Sequence, residues 1–175
     1  MDGVIVDAKR EVGMNIWEKA QTVQLKVSDN IQPGFSIGFD KQIEPETKAE
    51  LRAFVSWVES KYRQPVTLWV DFEYRHYLIS RDGRRVGYLF YWSDFTDYPV
   101  VANPDDIPVI RLPVRTEHSS IEEILGSFIE AISYYYAWIC NEIKDYQPNY
   151  DDVDMILQDY LDHRRSHADA NKLVQ

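Results

Sequence analysis

At 175 residues the chain has the length of a single domain, and its 45% hydrophobic and 27% charged content excludes a disordered polymer. The net charge of −10 argues against general nucleic-acid or anionic-membrane binding, because phosphates would be repelled. One cysteine, Cys140, rules out an internal disulfide, and no apolar run approaches the roughly 18 residues of a membrane span.

The opening decapeptide MDGVIVDAKR is acidic first and has only three consecutive apolar residues, unlike a signal peptide. Together with the lone cysteine this predicts a cytoplasmic protein. The charge is uneven. Residues 1–90 carry 13 acidic and 13 basic side chains, whereas residues 91–175 carry 16 and 6, so the whole excess lies in the C-terminal half. Such a surface suits a basic protein partner.

NIWEKAQ suggests a short helix, and TVQLKV alternates like a strand. FSIGF, Phe35 to Phe39, alternates as well and follows the turn pair Pro33-Gly34, which predicts an N-terminal hairpin. Pro45 is placed as a first helical residue, and Leu51, Phe54, Val55, Val58 and Tyr62 recur at helical spacing up to Gln64-Pro65. Trp57 falls off that stripe.

A β-rich block follows. VTLWVDF reads as a strand, and EYRHYLIS and RVGYLFYW flank the hairpin signal Asp82-Gly83. Arg81, Arg84 and Arg85 make that tip a local basic knob. The 14-residue loop SDFTDYPVVANPDD mixes acids with aromatics and leads to IPVIRLPV, whose Pro108 and Pro113 predict an edge strand. Ser119 and Glu122 form a capping box before a periodic apolar run, predicting a helix to about Lys144. Beyond Pro148, the residues Val153, Ile156, Leu157, Tyr160 and Leu161 mark a second helix face.

The expected fold is α+β. A mostly antiparallel sheet of about five to six strands carries one helix after the N-terminal hairpin and two C-terminal helices packed on it. Residues 1–165 form the domain, and 166–175 a frayed tail.

Within the apolar helix the run SYYYAWIC divides by face. At roughly 100° per residue Tyr135 joins the core stripe of Phe128 and Ile132, and Tyr136 takes its shoulder. Tyr134 and Trp138, one turn apart, share a separate flank suited to another helix or a second subunit.

No phosphate loop, H-E-x-x-H, paired C-x-x-C, G-x-S-x-G or EF-hand loop is present, and no cofactor is implied. Asp71, Glu73 and His76 near strand ends, with Glu117 and His118, are the weak catalytic candidates. Asp159, His163 and His167 recur every fourth residue and are a weak metal candidate. Asp151, Asp152 and Asp154 sit where acids favour a helix dipole. A sheet face carrying Trp69, Asp71 and neighbouring aromatics is a candidate recognition surface, although an aromatic sheet face is more often covered by helices, and that is the expectation here.

Composition and charge together favour a non-enzymatic protein-binding module, of inhibitor, immunity or adaptor type, for a basic partner. Its expected surface joins Asp94, Phe95, Asp97 and Tyr98 to Asp151, Asp152 and Asp154. The alternatives are an enzyme or small-ligand protein with a site assembled from distant Asp, Glu and His residues, and a homodimer using the Tyr134–Trp138 flank.

Overall fold

A computed structural model describes residues 14–174 of the chain. The opening decapeptide lies outside them.

Helix α1 (Ile16–Gln21) is capped by Asn15, whose side chain accepts from the Glu18 N–H. Strands β1 (Lys26–Val27) and β2 (Phe35–Phe39) follow, then helix α2 (Pro45–Lys61), opened by Pro45. Next come β3 (Leu68–Glu73), β4 (Leu78–Ile79), β5 (Arg85–Val86), β6 (Leu89–Tyr91), β7 (Val100–Val101) and β8 (Val109–Pro113). Helices α3 (Ile121–Ile139) and α4 (Tyr150–Val174) close the chain. The helix of α4 thus runs through the segment expected to fray.

The chain is α+β, but it lacks the expected single, mostly antiparallel sheet. Its main sheet has the order β2-β3-β8-β6, in which β2, β3 and β8 run parallel and only β6 is antiparallel. Two small pairs stand beside it, β1 with β7 in parallel and β4 with β5 antiparallel. The N-terminal hairpin does not form. Pro33-Gly34 instead delivers the chain into β2: Gly34 takes φ +96°, donates to the Gln64 carbonyl and accepts from Leu68 N–H. The 17-residue α2 then carries the chain back, so β3 must enter parallel to β2.

The proline-flanked strand is central rather than at an edge. Pro108 and Pro113 bracket β8, where a missing N–H interrupts little of the ladder, and the Pro108 carbonyl accepts from Trp69 N–H at 3.1 Å. The RVGYLFYW segment splits at Gly87: β5 stays in the hairpin around Asp82-Gly83, while β6 joins the main sheet. Helix α3 starts one residue later than the capping box predicts, because Ser120 rather than Ser119 accepts from Glu123 N–H. It stops at Ile139 rather than near Lys144. Asn141 turns to φ +58° and Glu142 N–H closes back on the Ala137 carbonyl, a left-handed C-terminal cap.

The helices pack on one face of the sheet. Phe128 of α3 meets Phe72 of β3, Phe35 of β2 and Phe54 of α2, with ring centroids 5.4, 6.3 and 5.5 Å apart. Beneath them Leu68, Val70, Ile110 and Leu112 are fully buried. Trp57, off the main stripe of α2, is buried against Tyr160 of α4.

The tyrosine run lies inside this layer. Tyr135 hydrogen-bonds the Val66 backbone through its hydroxyl, Tyr136 donates to the Arg63 carbonyl, and Trp17 donates to Ser133. Among the described residues no helix is long and apolar enough to cross a membrane.

Candidate functional site: the bare face of the central sheet

Alternation along each strand sends one set of side chains to the helices and the other outward. Among the described residues no layer covers the outward set. Register aligns it in two rows. One row is Ser36, Trp69, Val109 and Tyr91; the other is Gly38, Asp71, Arg111 and Leu89. Trp69 is 50% exposed and Tyr91 47%, large apolar rings left in water at the middle and edge of a sheet.

Sheets of parallel strands normally have both faces covered. Here, among the described residues, three parallel strands carry helices on one face only.

The charged row has internal order. Arg111 forks onto Glu73, Nε to Oε2 at 2.6 Å and Nη2 to Oε1 at 2.9 Å, and Nη1 reaches the Tyr91 hydroxyl at 3.4 Å. Asp71, the cross-strand partner of Arg111, is left out of that fork. Its carboxylate has no hydrogen-bond or ion-pair partner among the described residues. Gly38 beside it adds no side chain, and a Cβ there would sit 3.6 Å from Asp71 Oδ1. Gly38, Asp40, Asp71, Glu73 and Arg111 line a shallow depression of about 420 Å³.

The carboxyl ends of β3 and β8 extend this face into a rim. Tyr74 donates through its hydroxyl to Glu117 at 2.7 Å, and Arg115 pairs with the same carboxylate at 2.6 Å. Those two bonds, Tyr74 first, hold the Glu117 carboxyl below its ordinary range. The His76 and His118 rings lie against each other, tilted by 32°, with centroids 3.3 Å apart. Desolvation, then the His118 and Arg115 charges, lowers the His76 pKa, with Glu117 opposing. The fold thus gathers Glu73, His76, Glu117 and His118 at one end of the sheet, with Asp71 on the face beside it.

The acidic surface predicted around the long loop is only partly assembled. Asp94 and Asp152 line one open polar groove of about 890 Å³, together with Lys19, Glu142, Lys144 and Asp145. Lys144 lies 3.6 Å from Asp94, and Lys19 2.6 Å from Glu142. Asp151 and Asp154 are exposed in the first turns of α4, where Asn149 caps the helix through Asp151 and Asp152 N–H. Phe95 faces inward, stacked on Trp138 at 4.4 Å and tilted against Tyr98 at 5.3 Å, and Asp97 bridges to Val100.

That same loop covers the Tyr134–Trp138 flank. Trp138 is 1% exposed and donates to the Ser93 carbonyl at 2.7 Å. Tyr134 remains half-buried beside β6.

Asp159, His163 and His167 do not form a ligand set. Asp159 pairs with Lys61 at 3.4 Å, the His163 ring lies 6.4 Å from that of Trp57, and His167 Nδ1 faces the His163 carbonyl. Among the described residues no group of three or more His, Cys, Asp or Glu is placed to hold a metal ion. At the basic knob, Arg84 pairs with Asp82 and Arg85 lies over Tyr77.

Arg111, Arg115 and Tyr74 were not singled out in sequence. A signal for Arg111 exists: it is the lone charge between Ile110 and Leu112 in an apolar strand, the pattern of a residue on an uncovered face. No protein-family model, curated protein or solved structure matches this chain.

Proposed function

We propose that the protein is a non-enzymatic binding module for a basic protein partner, and that the partner docks on the bare face of the central sheet. One observation carries this reading: a largely parallel sheet leaves Trp69 and Tyr91 in solvent around a carboxylate, Asp71, that has no ion-pair partner among the described residues. Tryptophan, tyrosine and arginine are the residues that dominate interface energetics. The aromatic row offers a cation its ring faces, and Asp71 offers it a charge. A partner arginine or lysine satisfies both, in keeping with the net charge of −10.

The rim supports catalysis less well. Glu117 is tied to Arg115 and Tyr74 and held in its ionised form, whereas a general base at neutral pH needs a pKa near 7.

The test is selection from a displayed random-peptide library, followed by NMR mapping of the selected peptides. Peptides rich in arginine or lysine are expected, with the largest shifts at Trp69, Asp71 and Tyr91. Asp71→Asn should weaken them about tenfold, the order expected for losing one charge-assisted contact. A library that yields no binders, or binders that leave the Trp69 indole resonance unmoved, would overturn the proposal.

A second reading, a small-ligand site at the rim, is favoured by the convergence of His76, His118 and Glu117. It predicts that His76→Ala abolishes ligand binding, a substitution that should leave the peptides of the first reading bound.

A further inference from the structure

We propose that the aromatic groove between β6 and α3 binds a small quaternary ammonium compound. This inference is independent of the sheet-face reading, since the groove opens on the opposite side of β6 from Tyr91.

The groove has a volume of about 350 Å³, and Tyr88, Phe90, Trp92 and Tyr134 form its aromatic walls. Phe90 and Trp92 are stacked 5.7 Å apart, and Tyr134 lies 6.4 Å from Phe90 and 6.1 Å from Tyr88. Trp92 is 44% exposed. Since β6 stands at the end of the strand order, no further strand among the described residues closes this side. At its floor, Gly87 brings the chain so near α3 that a Cβ would lie 3.3 Å from Ser127 Oγ.

An aromatic hollow alone would take any apolar body. The charge behind it selects a cation. Glu130 lies one turn before Tyr134 on α3 and accepts from the Tyr88 hydroxyl at 3.4 Å. It is half-buried and has no cationic partner among the described residues. Burial raises its carboxyl above the ordinary value, while hydrogen bonds from Tyr88 and Tyr150 oppose that rise. A phenol that donates to a carboxylate gains electron density on its ring, so Glu130 strengthens the pull of Tyr88 on a cation over its face. Rings enclosing a cation of low hydration cost are the chemistry that recognises quaternary ammonium groups. A hollow of about 350 Å³ suits a free small molecule of the choline type.

The experiment compares choline with 3,3-dimethyl-1-butanol, its neutral isostere, by calorimetry and by NMR of the Trp92 indole. Choline is expected to bind and to move Trp92, with the isostere about tenfold weaker, the order of a partly desolvated cation–π contact. Glu130→Gln and Trp92→Ala each should reduce choline affinity several-fold. Both alter groups the core does not depend on, and circular dichroism checks that each variant is folded. Equal affinity for choline and its isostere, or no binding of choline, overturns the proposal. So does binding of a trimethyllysine peptide without binding of choline, which would reassign the groove to a modified protein.

Discussion

Two tyrosine and histidine positions show what single residues do in this fold. Tyr160 is 1% exposed, and its ring packs edge-on against Phe54 at 5.0 Å, yet its hydroxyl is buried with no partner among the described residues. A buried polar group left unpaired costs about 1–3 kcal/mol. Tyr160→Phe keeps the ring and removes the group, so it should raise stability by about 1 kcal/mol; a loss in urea unfolding would contradict this.

His76 carries a pH dependence of definite sign. Its folded pKa is lowered, first by desolvation and then by the charges of His118 and Arg115. The unfolded chain therefore takes the proton first. Stability at this site is complete above the ordinary imidazole pKa, about 6.5, and falls as pH drops below it toward the lowered folded value. His76→Asn should lose less stability between pH 7.5 and pH 5 than the parent chain. An NMR titration that puts His76 at or above the ordinary value would remove the basis for this.

At the scale of elements, periodicity marked most segments but not their pairing. The amphipathic α2 was legible because Pro45 and the Leu51-Phe54-Val55-Val58 stripe are local features, and the β4–β5 hairpin because Asp82-Gly83 is one. That β2 and β3 pair in parallel was not. The hairpin signal at Pro33-Gly34 and the parallel crossover differ only in where Phe35–Phe39 finds its partner, a choice made by contacts more than 30 residues away in sequence. The end of α3 escaped for a related reason: nothing between Ile139 and Lys144 breaks a helix except Asn141, whose left-handed turn depends on the closing bond to Ala137.

Two predictions belong here. Asn141→Val should cost about 1–2 kcal/mol, because a β-branched residue resists positive φ, while Asn141→Gly should be near neutral. Trp138→Ala should cost on the order of 3 kcal/mol, since it empties a buried site and orphans the Ser93 carbonyl. A change below about half a kcal/mol would mean that the Ser93–Phe95 loop does not hold this side chain.

The whole molecule has an asymmetry that no segment reveals alone. The same outward alternation that places Asp71 and Arg111 in solvent makes Trp69 a surface residue in the central strand of the fold. VTLWVDF did contain this face, and its pairing of Trp69 with Asp71 was visible by alternation. Which side the helices would take was not, because both sides of β3 are partly apolar and the choice rests on how α2 and α3 meet at Phe128.

The consequence is a strand with two opposite mutational responses. Val70→Ala, on the packed side and fully buried, should cost about 2–3 kcal/mol, within the range of core truncations. Trp69→Ser, on the bare side, should change stability by less than about 0.5 kcal/mol, as surface substitutions do. If the bare face serves a foreign partner rather than a second copy, sedimentation should find a monomer at micromolar concentration. Iodide should quench a component of tryptophan fluorescence that Trp69→Ser reduces. A dimer that Trp69→Glu dissociates would show instead that a second copy covers this face. The aromatic row would then serve self-association, and the carboxylate of Asp71 would have to find its counterion across the two-fold interface.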